Sequence, residues 1–210
     1  MNQYLILIDY VGVGLFAATG ALAASRQQLD FIGFVFFAIL TGIGGGSVRD
    51  VVLSEPIFWV GQPLYLVVCT ITALIVYCTA HFLESRYIVL QWLDAGAVAL
   101  FAVFGAYKGL LVTDSPSVAT LTGAMTATLG GIMRDVLAGE QNAITRQEIY
   151  VTAAVAGAAV YIALWLVGIE DVVPALIGGL VAFALRAGAL AFGWSLPRYR
   201  PRPGRPFDPS

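Results

Sequence analysis

Seven apolar stretches, each about 20 residues long, alternate with short polar stretches along the chain. They cover approximately residues 5–24, 31–53, 64–83, 91–112, 118–138, 149–168 and 173–193. A helix of about 20 apolar residues is long enough to cross the hydrocarbon core of a bilayer. The pattern therefore predicts an all-α membrane protein with seven transmembrane helices and little chain left over for a soluble domain.

Composition supports the same class of protein. Hydrophobic residues make up 59% of the 210 residues and charged residues only 11%, whereas a soluble domain has roughly 25% charged residues. The charged residues are spread over short loops, so the sequence indicates no nucleic-acid-binding face. Cys69 and Cys78 point to opposite sides of the third span, which excludes a disulfide within that helix. No spacing typical of a metal site is present, and we expect neither a metal nor a cofactor.

The chain matches itself when it is shifted by 85 residues. The matched pairs include Asp9/Asp94, Gly45/Gly130, Gly46/Gly131, Arg49/Arg134, Asp50/Asp135, Glu55/Glu140 and, more weakly, Tyr65/Tyr150. Chance matches between apolar segments would not bring this many polar residues into one register. Each copy holds three spans, an odd number, so the second copy must cross the membrane in the opposite direction.

This repeat divides the chain into four predicted parts. Residues 1–88 form a first three-helix repeat and residues 89–170 a second, inverted one. Residues 171–194 form a seventh helix, and residues 195–210 a disordered, basic tail rich in proline and arginine. Arg186, which stands alone in the seventh span, is expected either at an oligomer interface or reaching toward the membrane surface.

Each repeat places glycines ahead of an Arg-Asp pair inside a span. The two motifs are Gly44-Gly45-Gly46-Ser47-Val48-Arg49-Asp50 and Gly130-Gly131-Ile132-Met133-Arg134-Asp135. A glycine in a helix costs about 1 kcal/mol relative to alanine, so the glycines must provide some advantage. One interpretation is a broken or bent helix beside a transport pathway, and the other is close packing of two helices. The inverted duplication favours the pathway.

The ionisable residues inside the spans are candidates for function, because charge in hydrocarbon is costly. Neighbouring residues on a helix diverge by about 100°, so we expect neither arginine to pair with the aspartate that follows it. The predicted partners are Asp9 for Arg49 and Asp94 for Arg134. A structural clamp and a pore-lining charge are equally compatible with these pairs. Lys108 is interpreted as an interfacial anchor or, alternatively, as a gating charge.

Arginines accumulate on one side of the predicted membrane segments. They are Arg26, Arg86, Arg146, Arg198, Arg200, Arg202 and Arg205, against Lys108 on the opposite side. Positive residues favour the cytoplasmic side, so we expect the N-terminus outside and the C-terminus in the cytoplasm. No set of nucleophile, base and orienting group can be recognised, and no phosphate-binding or metalloprotease motif occurs. The protein is therefore not expected to be an enzyme.

The two glycine and Arg-Asp motifs, set in inverted three-span units with a seventh span, resemble the prokaryotic branch of the trimeric intracellular cation (TRIC) channels, also described as the UPF0126 group. The resemblance covers about residues 4–193. It implies a homotrimer in a bacterial or archaeal inner membrane. Each protomer would conduct K⁺ and Na⁺ through its own pore, lined by spans one, two, four and five. Membrane lipids and permeant cations are the other implied partners, and a lipid is a candidate bound ligand.

The resemblance also assigns residues by position. The pore would be constricted at kinked spans two and five, at Gly44, Gly45, Gly46, Gly130 and Gly131, with Arg49, Asp50, Arg134 and Asp135 beside them. Leu129 stands where a second triple glycine would begin, which implies unequal bends in the two halves.

A second function is compatible with the same features. Some members of the wider group are named glycine transporters, and inverted repeats with interrupted helices are typical of secondary transporters. The alternative is therefore an alternating-access carrier of a small amino acid such as glycine. A lipid-organising protein without transport is disfavoured, because it would not need intramembrane Arg-Asp pairs twice.

Overall fold

The computed structural model describes residues 3–141, 149–169 and 172–197, and the side chains from residue 7 onward within them. Seven long helices follow one another: α1 Gln3–Arg26, α2 Phe31–Val52, α3 Leu64–Thr79, α4 Arg86–Thr113, α5 Pro116–Leu137, α6 Val151–Leu166 and α7 Val173–Phe192. A four-residue helix, Phe58–Gly61, precedes α3, and a 3₁₀ turn, Ala80–Phe82, extends it. The predicted all-α fold with seven long helices is confirmed. Residues 198–210 of the predicted tail and Arg146 lie outside the described residues.

Five of the seven long helices have the length and composition of membrane spans. Within the described ranges, α1, α2, α3 with its 3₁₀ extension, α4 and α7 are long and apolar enough to cross a membrane, and α6 is a shorter apolar helix. Helix α5 has 22 residues, as α2 does, but it carries more polar side chains, including Thr122, Thr126 and Thr128. Those threonines are buried, so α5 hides its polar face inside the bundle. We call the end where α1 begins the outer end and the other the inner end.

The residues at the helix termini explain where the helices begin and end. The Asp30 carboxylate accepts a hydrogen bond of 2.8 Å from the backbone N–H of Gly33 and caps α2. Ser85 caps α4 in the same way through Ile88, and Pro116 opens α5 at a position where its missing N–H costs nothing. Helix α7 ends at Phe192 and is followed by Gly193, whose positive φ of 69° suits glycine.

The two repeats pack against each other at a central crossing of α2 and α5. A Cβ atom added at Gly45 would overlap the carbonyl oxygen of Thr126, and one added at Gly130 would meet the carbonyl oxygen of Thr41 at 2.5 Å. These two contacts are equivalent under the 85-residue shift. The backbones therefore touch in the symmetric way that an inverted repeat requires, and the glycines make this approach possible.

A second reciprocal contact joins the helices within each repeat. Gly20 on α1 faces the Phe37 carbonyl and the Thr41 hydroxyl on α2, while Gly105 on α4 faces the equivalent groups on α5, at Thr122 and Thr126. A Cβ at either glycine would lie within 3.0 Å of these atoms. The small residues of the repeat thus mark where its helices cross.

The expectation that the glycines break their helices is wrong. Helix α2 is continuous α-helix from Phe31 to Val52, through Gly44, Gly45 and Gly46, and α5 is continuous through Gly130 and Gly131. The cost of glycine in a helix is offset by the contacts that open when a side chain is absent. Close packing, the alternative drawn from the sequence, is therefore realised at this crossing, and a bend at these glycines stays a prediction.

Helix α7 belongs to the core of the protomer. It packs on α4 and α6, and Gly157 of α6 and Gly178 of α7 face each other's carbonyl oxygens. Arg186 is only 2% exposed, and its guanidinium carbon lies 4.9 Å from the centre of the Tyr150 ring. Both sequence-based expectations for Arg186 were wrong, because α7 turns this side chain into the bundle rather than toward its surface.

Substituting Gly45 with alanine should lower the stability of the purified protein, even though alanine favours helix by about 1 kcal/mol. The added methyl group would push α5 away through the Thr126 carbonyl. Gly96→Ala is the matched control, since its Cβ would meet only a Leu15 methyl group at 3.7 Å. The measurement is thermal unfolding in detergent. A Gly45→Ala protein as stable as the Gly96→Ala protein would contradict this description of the crossing.

Candidate functional site: two inverted charge clusters

The buried charges form two clusters, one toward each end of the bundle. The outer cluster consists of Asp9, Arg49, Asp50 and Tyr65, and the inner cluster of Asp94, Arg134, Asp135 and Tyr150. All are buried except Asp135, which is half-buried. The structure thus brings together the charged residues that the sequence singled out, in two groups related by the repeat.

The inner cluster is centred on Arg134. Its Nη1 atom donates to Asp94 Oδ1 at 2.9 Å and to the Thr19 hydroxyl at 2.8 Å, while Nε donates to Asp135 Oδ1 at 2.8 Å. The predicted Asp94–Arg134 pair is confirmed as an ion pair. Thr19 lies on α1, so this arginine ties the second repeat to the first.

The outer cluster is arranged differently from the prediction. Arg49 pairs with Asp50, through Nη2 at 2.7 Å and Nε at 2.9 Å, and within the described chain it forms no ion pair with Asp9. The arginine side chain is long enough to turn across the 100° that separates adjacent residues, a reach that the argument from helix geometry ignored. The Asp9 carboxylate instead accepts a short hydrogen bond from the Tyr65 hydroxyl.

Aromatic rings and a backbone amide complete the surroundings of Arg49 and Asp50. The guanidinium carbon of Arg49 lies 5.8 Å from the ring centres of both Phe58 and Phe104, within the range of a cation–π contact. Asp50 Oδ2 accepts a hydrogen bond of 2.9 Å from the backbone N–H of Phe58. The short helix that begins at Phe58 is therefore attached to the end of α2 by this carboxylate.

The remaining glycines of the motifs face three different surroundings, and only Gly131 lies directly against a cluster. Gly131 faces the Tyr150 hydroxyl and Asp94, Gly46 faces the Phe58 ring, and Gly44 faces the methyl end of Met133. A side chain at Gly131 would displace the tyrosine, so this glycine makes room for the inner cluster. In the second motif, Gly131 and the charges thus belong to one site, while Gly46 reaches the outer cluster only through the Phe58 ring.

Lys108 lies on α4 toward the outer end and is half-buried. Its assignment as an anchor or as a gating charge stays a prediction.

Sequence reasoning missed five residues of the site: Thr19, Phe58, Tyr65, Phe104 and Tyr150. A signal existed for the two tyrosines, because they match each other under the 85-residue shift. Nothing in the sequence indicated that Thr19 would contact Arg134, since these residues are 115 positions apart.

A cavity of about 790 Å³ lies mainly among apolar side chains of α4, α6 and α7, which include Phe104, Tyr107 and Trp165. Neither the motif glycines nor the paired arginines and aspartates line it. Phe104 lines the cavity and its ring also faces Arg49, so the cavity borders the outer cluster at this residue.

Two inverted three-helix repeats with charges buried near their crossing define a membrane protein of the inverted-repeat class. A family described as "Glycine transporter" matches the chain twice, over residues 6–81 and 91–166. A UPF0126 membrane protein from Vibrio cholerae is 35% identical over 200 residues, which are 94% of this chain and 84% of that protein. The UPF0126 inner membrane protein YadS of Escherichia coli K12 is 32% identical over 198 residues, which are 91% of this chain and 94% of that protein. The chain belongs to the UPF0126 family.

The fold is that of a solved prokaryotic TRIC channel. The TRIC trimeric intracellular cation channel orthologue from Rhodobacter sphaeroides superimposes with a TM-score of 0.89 and 44% sequence identity, covering 92% of this chain and all of that one. The family resemblance drawn from the sequence is therefore confirmed. Membership places the chain among membrane proteins that are not enzymes.

Replacing Arg134 with methionine should destabilise the protein by about 3–5 kcal/mol, because the buried Asp94 and the half-buried Asp135 would lose their counter-charge. Adding Asp94→Asn should restore part of that loss, since one uncompensated charge is removed. Unfolding by SDS titration measures both effects.

The control for this experiment is Arg26→Met. Arg26 pairs with Glu140 at 2.7 Å, but its side chain is 30% exposed, so the expected loss is below about 1 kcal/mol. An Arg134→Met loss no larger than the Arg26→Met loss would show that the inner cluster contributes little to stability.

Proposed function

We propose that this protein is a channel for monovalent cations, K⁺ and Na⁺, with one pore in each protomer of a homotrimer. The observation that carries the proposal is the position of the paired charges. They lie on α1, α2, α4 and α5, toward the two ends of the bundle and on either side of the crossing of α2 and α5. The 44% identity to a trimeric cation channel supports it.

In this proposal the pathway runs along the crossing and is constricted at Gly44, Gly45, Gly46, Gly130 and Gly131. Glycines suit a narrow passage, because they present backbone rather than side chains to an ion. The close approach of Gly45 to Thr126 and of Gly130 to Thr41 supports a constriction at this depth. Opening would require α2 and α5 to separate or bend there.

The carboxylates of Asp9, Asp50, Asp94 and Asp135 favour cations at both ends of this pathway. Arg49 and Arg134 balance that charge, so that an ion is attracted without being held too tightly to leave. The same pairs clamp the helix ends, and the two roles are compatible. Lys108 is the candidate for a charge that moves with voltage.

We place the protein in the inner membrane of a prokaryotic cell, as the name of the Escherichia coli relative states for that protein. The N-terminus lies outside and the C-terminus in the cytoplasm, because Arg26 and Arg86 lie at the inner end of the bundle. Membrane lipids surround the trimer. The three-fold assembly is supported by the trimeric relative, and the mass of the purified protein in detergent tests it.

The second candidate function is an alternating-access carrier of glycine or a similar small amino acid. The description of the matching family favours it, as does the general link between inverted repeats and secondary transport.

Recordings in planar lipid bilayers distinguish the two functions. A channel should give discrete current steps in symmetric KCl. In a KCl gradient, the same currents should reverse near the Nernst potential for K⁺. Reconstituted vesicles should then show no saturable uptake of labelled glycine. Saturable, competable glycine uptake without unitary currents would favour the carrier instead.

A further inference from the structure

Each cluster contains one arginine, two aspartates and one tyrosine, yet the two clusters are bonded in different ways. In the inner cluster Arg134 binds Asp94 at 2.9 Å, and the Tyr150 hydroxyl lies 3.5 Å from that carboxylate. In the outer cluster Tyr65 binds Asp9 closely and Arg49 is left with Asp50. The arginine is thus the closest partner of Asp94, with a long hydrogen bond from Tyr150 beside it, whereas the tyrosine is the closest partner of Asp9.

The bonds of each arginine are consistent with this difference. Arg134 has three acceptors, on Thr19, Asp94 and Asp135. Arg49 donates to Asp50 alone among the described side chains, and its guanidinium otherwise faces aromatic rings.

The difference in bonding between the two clusters is explained by one pair of positions that are equivalent under the 85-residue shift. Thr19 and Phe104 correspond under the 85-residue shift, and each contacts the arginine of the other repeat. Thr19 offers Arg134 a hydroxyl oxygen beside Asp94. Phe104 offers Arg49 only the face of a ring, so no acceptor holds Arg49 beside Asp9.

We propose that Tyr65 and Arg49 compete for the Asp9 carboxylate, and that the outer cluster changes state by exchanging one for the other. The inner cluster displays the exchanged arrangement with equivalent groups, which shows that the geometry of the repeat accommodates both. Phe104 biases the outer cluster toward the tyrosine-bound state. Tyr65 and Phe104 are therefore positioning residues, and on the proposed channel function this exchange controls the outer end of the pathway.

The exchange can be tested without measuring transport, by a double-mutant cycle on stability. Asp9→Asn, Arg49→Met and their combination are compared by unfolding in detergent, first with Tyr65 present and then in a Tyr65→Phe background. With Tyr65 present, Asp9 and Arg49 should be weakly coupled. Removing the hydroxyl should free Asp9 for Arg49 and raise their coupling, measured in the unfolding equilibrium constant, by about tenfold.

Two matched controls lie on the chain. Tyr10 stacks on Tyr65 with ring centres 4.3 Å apart, and its hydroxyl is directed to Gln62 rather than to Asp9. Tyr10→Phe should therefore leave the Asp9–Arg49 coupling unchanged. Tyr150→Phe should leave the Asp94–Arg134 coupling unchanged, because that pair is already formed. Phe104→Thr supplies Arg49 with the acceptor that Thr19 gives Arg134 and should raise the Asp9–Arg49 coupling with Tyr65 in place.

An Asp9–Arg49 coupling that stays low in both Tyr65→Phe and Phe104→Thr proteins would overturn the exchange. If one of these two proteins fails to fold, the Asp9–Arg49 coupling measured in the other decides the test. Bilayer recordings then address the function separately: Tyr65→Phe should change the open probability several-fold and Tyr10→Phe should not. A raised coupling in a protein without unitary currents would leave the exchange standing and reject the channel.

Discussion

The contact between the backbones of α2 and α5 is the constraint on which the rest of the structure depends. Gly45 lies on Thr126 and Gly130 on Thr41, so the pseudo-symmetry axis passes between two helices with no side chains separating them. Arg49 and Arg134 each follow the crossing glycine by four residues, a rise of about 6 Å along the helix. Because the two helices belong to inverted repeats, this spacing places the arginines on opposite sides of the crossing.

Burial then determines what the arginines must do. A guanidinium removed from water needs a counter-charge and acceptors for its N–H groups, and each arginine finds the first of these in the aspartate that follows it. Pairing with an adjacent residue is independent of helix packing. The bond from the arginine to the more distant aspartate, by contrast, depends on how the helices are placed. This difference explains why the adjacent pair occurs in both repeats and the distant pair in only one.

The sequence was sufficient to predict the features that depend on pattern and register. The spans follow from apolar length, and the inverted repeat follows from Asp9, Arg49 and Asp50 recurring at a constant offset as Asp94, Arg134 and Asp135. The choice of partner could not be predicted, because it depends on side-chain reach and on contacts between the repeats, such as Thr19 with Arg134. Helix continuity through the glycines was also mispredicted. Helix propensity includes the cost of glycine within one helix, but it does not include the packing that glycine allows between two helices.

The departures from the repeat are as informative as the matches. If both halves were identical in sequence, the structure could be fully symmetric, and the two ends would have no reason to be bonded differently. The two halves differ at position 19 and its equivalent, 104, where the side chain contacts a buried arginine. Thr19 gives Arg134 a hydroxyl acceptor, whereas Phe104 gives Arg49 an aromatic ring. Arg186 adds a cation from outside the repeat beside Tyr150. The duplicated motif therefore supplies a common set of groups, and residues around it determine which bond each end forms.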